Sequence, residues 1–113
     1  MARRFCPRAW LKPEKGAEYR ALHANAWPGV LRTIAACNLR NYSIDILDTL
    51  VVSTFEYVGE DFEADMRKMA ADPVTQEWWK HTKPCFEGHE RGVYYEDMEQ
   101  IFRFSGADGE DAR

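Results

Sequence analysis

Two runs of strand character, residues 39–47 and 50–58, have only Asp48-Thr49 between them, and a gap that short leaves the chain one way to connect them. Strands joined by two residues pair as an antiparallel hairpin, because a parallel pairing needs a crossover of a dozen residues or more. The first run alternates Tyr42, Ile44 and Ile46 against Asn41, Ser43 and Asp45. The second is rich in β-branched and aromatic residues and is closed by Gly59. The turn itself lacks the glycine that the tightest hairpins favour.

What flanks the hairpin then fixes the fold class. Residues 3–11 carry Phe5, Ala9 and Leu11 at alternate positions and read as a first strand interrupted by Pro7. Proline has no N–H to give a ladder, so Pro7 implies an edge position, a bulge, or an amide facing away from the neighbouring strand. Pro13 suits the first turn of a helix through Ala17, Ala21, Leu22 and Ala24, and Pro28 starts a second piece over residues 28–37 that buries Val30, Leu31 and Ile34. Beyond the hairpin, residues 61–71 place Phe62, Met66 and Met69 at helical spacing. Asp72-Pro73 restarts a helix that carries Val74, Trp78, Trp79 and His81, with Asp72 as its cap. Pro84 and the stretch from Gly88 to Gly92 mark a loop, and residues 98–104 close the pattern as a last strand.

The order is β-α-β-β-α-β with each helix broken in two, which is the ferredoxin-like α+β arrangement: helices on one face of a four-stranded sheet. The sheet's other face needs a cover, and a second subunit supplies one while hiding the edge strands. Residues 1–104 form a single domain, and the Gly- and Asp-rich residues 105–113 are expected to be a disordered tail.

The charge balance narrows the partners. With 15 Lys and Arg against 19 Asp and Glu, the chain gives no electrostatic reason to expect nucleic acid or an anionic membrane, and a small neutral ligand is easier to accommodate. Cys6, Cys37 and Cys85 are odd in number, widely spaced and part of no Cys/His pattern, so neither a disulfide framework nor a zinc site is indicated. Reduced thiols in the cytoplasm are the simplest reading. The N-terminus lacks the apolar core of a signal peptide, and no apolar run approaches membrane-spanning length.

Chemistry concentrates in two places. Tyr19, His23 and Trp27 follow one another at four-residue spacing, so Tyr19 and His23 share a helix face. Pro28 biases Trp27 away from helical dihedrals and sets it at a bend beside that face. An imidazole exchanges protons near neutral pH, which makes His23 the leading acid/base candidate, against the plainer reading of a surface or core histidine. Tyr19 could orient it or bond a substrate oxygen, although tyrosines on helix faces are commonly core.

Trp78 and Trp79 are adjacent, so on a helix they point about 100° apart and one of them needs a cover other than the core. A flat indole suits the C–H face of a sugar; core and dimer contacts would also account for the pair. Asn41-Tyr42-Ser43 offers alternating polar groups, as would a hydroxyl-binding wall or a solvated hairpin. His81 and His89 read as surface residues. No phosphate-binding glycine loop, nucleophile elbow or His-Glu-x-x-His signature is present in the sequence. Proton transfer and shape are the chemistry left.

On these residues the chain resembles the L-rhamnose mutarotase family. The match runs through Glu18-Tyr19-Arg20 with His23, Trp27-Pro28, Asn41-Tyr42-Ser43-Ile44, Trp78-Trp79-Lys80 and Met98-Glu99-Gln100-Ile101-Phe102. The resemblance implies a dimeric α/β barrel of two ferredoxin-like subunits that interconverts the α and β anomers of a 6-deoxy sugar without metal or organic cofactor. It makes His23 the principal acid/base with Tyr19 beside it, and gives the sugar pocket to Trp78 and Trp79. Arg8-Ala9-Trp10 stands where the family usually offers a methionine, and residues 87–92 replace a loop of different composition. L-Fucose therefore competes with L-rhamnose as the substrate. A dimeric α/β-barrel monooxygenase and a sugar-binding module without chemistry would fit the same residues.

Overall fold

The computed structural model describes residues 3–92, 94–104 and 106. Its strands are β1 (Arg3–Phe5), β2 (Pro7–Trp10), β3 (Leu39–Leu47), β4 (Leu50–Tyr57) and β5 (Tyr95–Asp97). Its helices are α1 (Gly16–Ala24), α2 (Pro28–Ala36), α3 (Phe62–Ala71) and α4 (Pro73–Thr82). β4 is flanked by β3 on one side and by β1 and β2 end to end on the other, with β5 beyond β2 and every pairing antiparallel. This is the expected ferredoxin-like α+β order.

The hairpin closes as its length demands, with Leu47 opposite Leu50. Asp48 takes the left-handed conformation, φ 57°, that a glycine would otherwise supply, and aspartate tolerates it because its short polar side chain can bond locally. The register slips once, between Arg40 and Ser43, where Asn41 also lies at positive φ. Two residues there oppose Phe55, the mark of a β-bulge.

Pro7 does not place its strand at an edge: β2, which it opens, lies between β4 and β5, while β1 before the break pairs with β4 alone. The strand is broken at Cys6 instead, so that the missing N–H of Pro7 falls at the end of a ladder. The same break explains why the last strand is not residues 98–104. It forms at Tyr95–Asp97 against Pro7–Ala9, and Met98 N donates to Cys6 O at 3.1 Å as the final rung. Past Cys6 the edge turns away, leaving Ile101, Phe102 and Phe104 at 87%, 79% and 71% exposed despite their strand-like alternation. Of the expected 105–113 tail, all but Gly106 lies outside the described residues.

The helices share one face. Ala9, Leu11 and Val51 from the sheet pack with Tyr19 of α1 and with Cys85 and Phe86 of the segment after α4. Burying Leu11 completely is worth about 1.5–3 kcal/mol relative to leaving it in water. The starts of α3 and α4 carry side-chain caps, whereas Trp27 before α2 makes none. Asp61 accepts from Ala64 N at 3.1 Å and Asp72 from Thr75 N at 2.8 Å, so each satisfies an amide that a helix start leaves open. Gly29 packs so closely on Val74 that a β-carbon there would stand 2.9 Å from it, which lets α2 and α4 approach.

Candidate functional site

α1 presents Tyr19 and His23 one turn apart, with ring centroids at 4.3 Å and planes tilted by 41°. His23 Nδ1 lies 2.9 Å from the Tyr19 carbonyl oxygen. A carbonyl can only accept, so Nδ1 is the donor and, in the neutral ring, Nε2 carries the lone pair. One backbone contact thus sets both the orientation of the imidazole and the nitrogen left for chemistry.

From this pair a row of rings extends both ways. His23 meets Trp78 edge-on at 5.3 Å, Trp78 meets Trp27 at 5.1 Å, and Trp27 meets His81 at 5.6 Å. In the other direction Tyr19 stands edge-on to Phe86 at 5.1 Å, and Phe86 stacks on Tyr94 at 5.0 Å. The row is assembled from α1, the residue before α2, α4 and the segments around β5. Pro28 performs the expected role: it holds Trp27 extended, at φ −74° and ψ 134°, so that the indole turns back over α4.

Tyr19 is 4% exposed, and its hydroxyl has no hydrogen-bond partner among the described residues. Burial holds the phenol well above its ordinary range, and the hydroxyls of Tyr42 and Tyr94 and the thiol of Cys85 add to the effect. Tyr19 keeps its proton and acts as a donor. Tyr94 is pushed up to about 12, first by burial, then by Tyr95 and Tyr42. The Cys85 thiol is buried and raised for the same first reason, so it is not a ready nucleophile.

The structure brings Tyr19, His23, Trp27 and Trp78 together, and sets Tyr42 close enough to influence Tyr19. It does not bring Trp79, whose ring lies under the Lys83 ammonium at 4.1 Å; that cation covers the second indole. Nor does it bring Asn41, which faces across the sheet and donates to Glu56 Oε1 at 2.9 Å. His81 is exposed as expected, but at the end of the row. Phe86 and Tyr94 carry no periodic signal in the sequence; only the density of aromatics around the 87–92 loop hints at them.

Among the described residues no three His, Cys, Asp or Glu side chains are grouped to hold a metal ion. A shallow groove lined by Arg32, Thr33, Lys68, Asp72 and Val74, between α2 and the α3–α4 corner, shares no residue with the aromatic row. What the row offers chemically is one proton acceptor, one committed donor and flat apolar walls.

Residues 4–104 match the family model described as L-rhamnose mutarotase. An L-rhamnose mutarotase of Oceanobacillus iheyensis is 35% identical over 75 residues, which is 66% of this chain and 71% of that protein. Among solved structures, an L-rhamnose mutarotase from Formosa agariphila superposes with TM-score 0.72 at 15% identity, covering 90% of this chain and 98% of the other. A NIPSNAP family protein from Agrobacterium tumefaciens superposes with TM-score 0.62 at 19% identity, covering 86% and 82%. At such identities the superpositions speak to fold, and a fold hosts many activities.

Proposed function

The chain belongs to the L-rhamnose mutarotase family, and from that premise we infer that it interconverts the α and β anomers of L-rhamnose, with His23 as the acid/base. The observation that carries the roles is the bond between His23 Nδ1 and the Tyr19 carbonyl, which leaves Nε2 as the acceptor. Nε2 takes the proton from the anomeric hydroxyl as the C1–O5 bond breaks, and the imidazolium so formed protonates the ring oxygen. Both oxygens are bonded to the same carbon, so one nitrogen serves both. Rotation about C1–C2 presents the other carbonyl face, and closure runs the transfers in reverse. Tyr19 donates a hydrogen bond to the oxygen bearing developing charge, while Trp78 and Trp27 hold the apolar face of the sugar.

The test is NMR saturation transfer between the anomeric protons of L-rhamnose and then of L-fucose. Exchange of L-rhamnose rises with the protein present; unchanged exchange of both sugars overturns the reading, and faster exchange of L-fucose moves the substrate assignment. A haem titration producing a tight, saturable spectral change would favour oxygen chemistry instead.

A homodimer is part of the same proposal. Trp10, Leu47, Leu50 and Val52 lie on the sheet face turned away from the helices, with Leu47 76% exposed, and Ile101, Phe102 and Phe104 extend from its edge. Apolar surface of this extent favours a partner. Sedimentation at micromolar concentration would report twice the chain mass. Cytoplasmic residence fits the three free cysteines, and no helix among the described residues is long and apolar enough to cross a membrane.

A further inference from the structure

Three phenols from separate parts of the chain lie near one another, two of them joined by the ring of Phe86. Tyr19 comes from α1, Tyr42 from the bulge of β3, and Tyr94 from the segment entering β5. Phe86 is the spacer, edge-on to Tyr19 at 5.1 Å and stacked on Tyr94 at 5.0 Å. Tyr94 packs against the core through its ring, and its hydroxyl, like that of Tyr19, has no hydrogen-bond partner among the described residues. A half-buried phenol normally finds a partner for its hydroxyl. Burial is the first cause that holds each of the three phenols above its ordinary range, so all remain protonated and can donate. A polyol is the ligand such a set fits, since each of its hydroxyls both accepts and donates.

We propose that Tyr94 is a substrate-binding residue: its ring continues the row from Tyr19 through Phe86, and its hydroxyl hydrogen-bonds a ring hydroxyl of the sugar and helps decide which 6-deoxy hexose is accepted. The assignment rests on the sugar-isomerase reading above and adds a residue to it. L-Rhamnose and L-fucose differ in configuration at C2 and C4, so a fixed donor away from the anomeric centre can tell them apart. In the order of ring contacts Tyr94 lies beyond Tyr19 and Phe86 from His23, away from the imidazole where the anomeric carbon would sit.

Tyr94→Phe keeps the ring and its stacking and removes only the donor. Its KM for L-rhamnose exchange rises by about three- to tenfold, as expected for one lost hydrogen bond, while kcat stays within about twofold. The dissociation constant read from quenching of indole fluorescence rises in parallel, and the ratio of affinities for the two sugars changes. Tyr95→Phe, on the exposed neighbouring ring, leaves all three quantities as in the wild type. Unchanged KM and dissociation constant in Tyr94→Phe overturn the proposal, as does a wild-type chain that binds neither sugar. A wild-type chain that binds sugar without accelerating exchange would sink the mutarotase reading alone, and the fluorescence comparison would still decide the role of Tyr94.

Discussion

Two rows of aromatic rings run through this molecule, and they differ in what the hydroxyls of Tyr57 in one and Tyr19 in the other do. One lies along the sheet: Tyr42, Phe55, Phe5 and Phe62 stack at 4.7–5.1 Å with each plane within 17° of its neighbour's, and Phe62 ends edge-on to Tyr57. The Tyr57 hydroxyl donates to Asp65 Oδ2 at 2.5 Å and accepts from Asp61 N at 2.9 Å, while Asn38 donates to the same carboxylate oxygen at 2.9 Å. It folds back so closely over Gly59 that any β-carbon there would collide with it. The other row, from His81 to Tyr94, is mostly edge-on, and its central hydroxyl, on Tyr19, bonds no protein group among the described residues. Stacked and edge-on contacts are both favourable, so ring geometry alone separates nothing. A hydroxyl whose bonds are all made within the chain fastens α3 to β4. One left without a partner is available to a ligand.

The contrast can be broken most directly at His23. His23→Ala should lower the rate of anomer exchange by about 10²-fold or more, the usual contribution of an acid/base group, with the thermal midpoint little changed. Full activity in that variant would move the chemistry elsewhere. Next comes a crossed pair of single-oxygen deletions. Tyr19→Phe should cost about tenfold in kcat/KM and little in stability, whereas Tyr57→Phe should lower the melting temperature and leave the activity of the folded protein intact. Identical behaviour of the two variants would erase the distinction between the rows.

Acid should reach the structural row through Asp65. The Tyr57 and Asn38 hydrogen bonds, with Lys68, hold its carboxyl below the ordinary range. A depressed value means stability that is present above the unfolded pKa and lost as the pH falls through the folded one. The melting temperature should therefore drop as pH falls below about 4, and Asp65→Asn should flatten that dependence while lowering the plateau. Melting curves recorded by circular dichroism from about pH 3 to 7 would show it; an unchanged slope would count against the linkage. The smallest effect belongs to Trp79→Ala, with sugar exchange altered less than about twofold, because its indole contacts Lys83 rather than the row.

Much of this is legible in residue order, for reasons that also mark the limit. The hairpin follows from a period of two and a two-residue gap, and the Tyr19/His23 pair from a helix bringing every fourth residue together; both are local rules. The last strand is not legible in the same way, because alternation in Ile101, Phe102 and Phe104 describes only one side of a ladder. The other side is interrupted at Cys6, and nothing near residue 100 records that. The family resemblance gives both Trp78 and Trp79 to the pocket, and alternating polar groups offer Asn41 with Tyr42. Trp79 instead meets Lys83 and Asn41 meets Glu56, as side chains that diverge on a helix or alternate on a strand can. Phe86 and Tyr94 reach Tyr19 by tertiary packing alone.

The single slip in β3 has its own consequence. Leu39 pairs with Tyr57 and Ile46 with Val51, all toward the helices, although positions seven apart on an unbroken strand point to opposite sides. Asn41 acts as a phase shifter, letting the first half of the strand answer to α2 and the second to the core beneath Tyr19. The position is thus protected in number more than in kind. Exchange of Asn41 for glycine preserves the count, while its deletion inverts Ile44 and Ile46 together, so length variation among natural or laboratory descendants should be admitted at the hairpin tip and refused here.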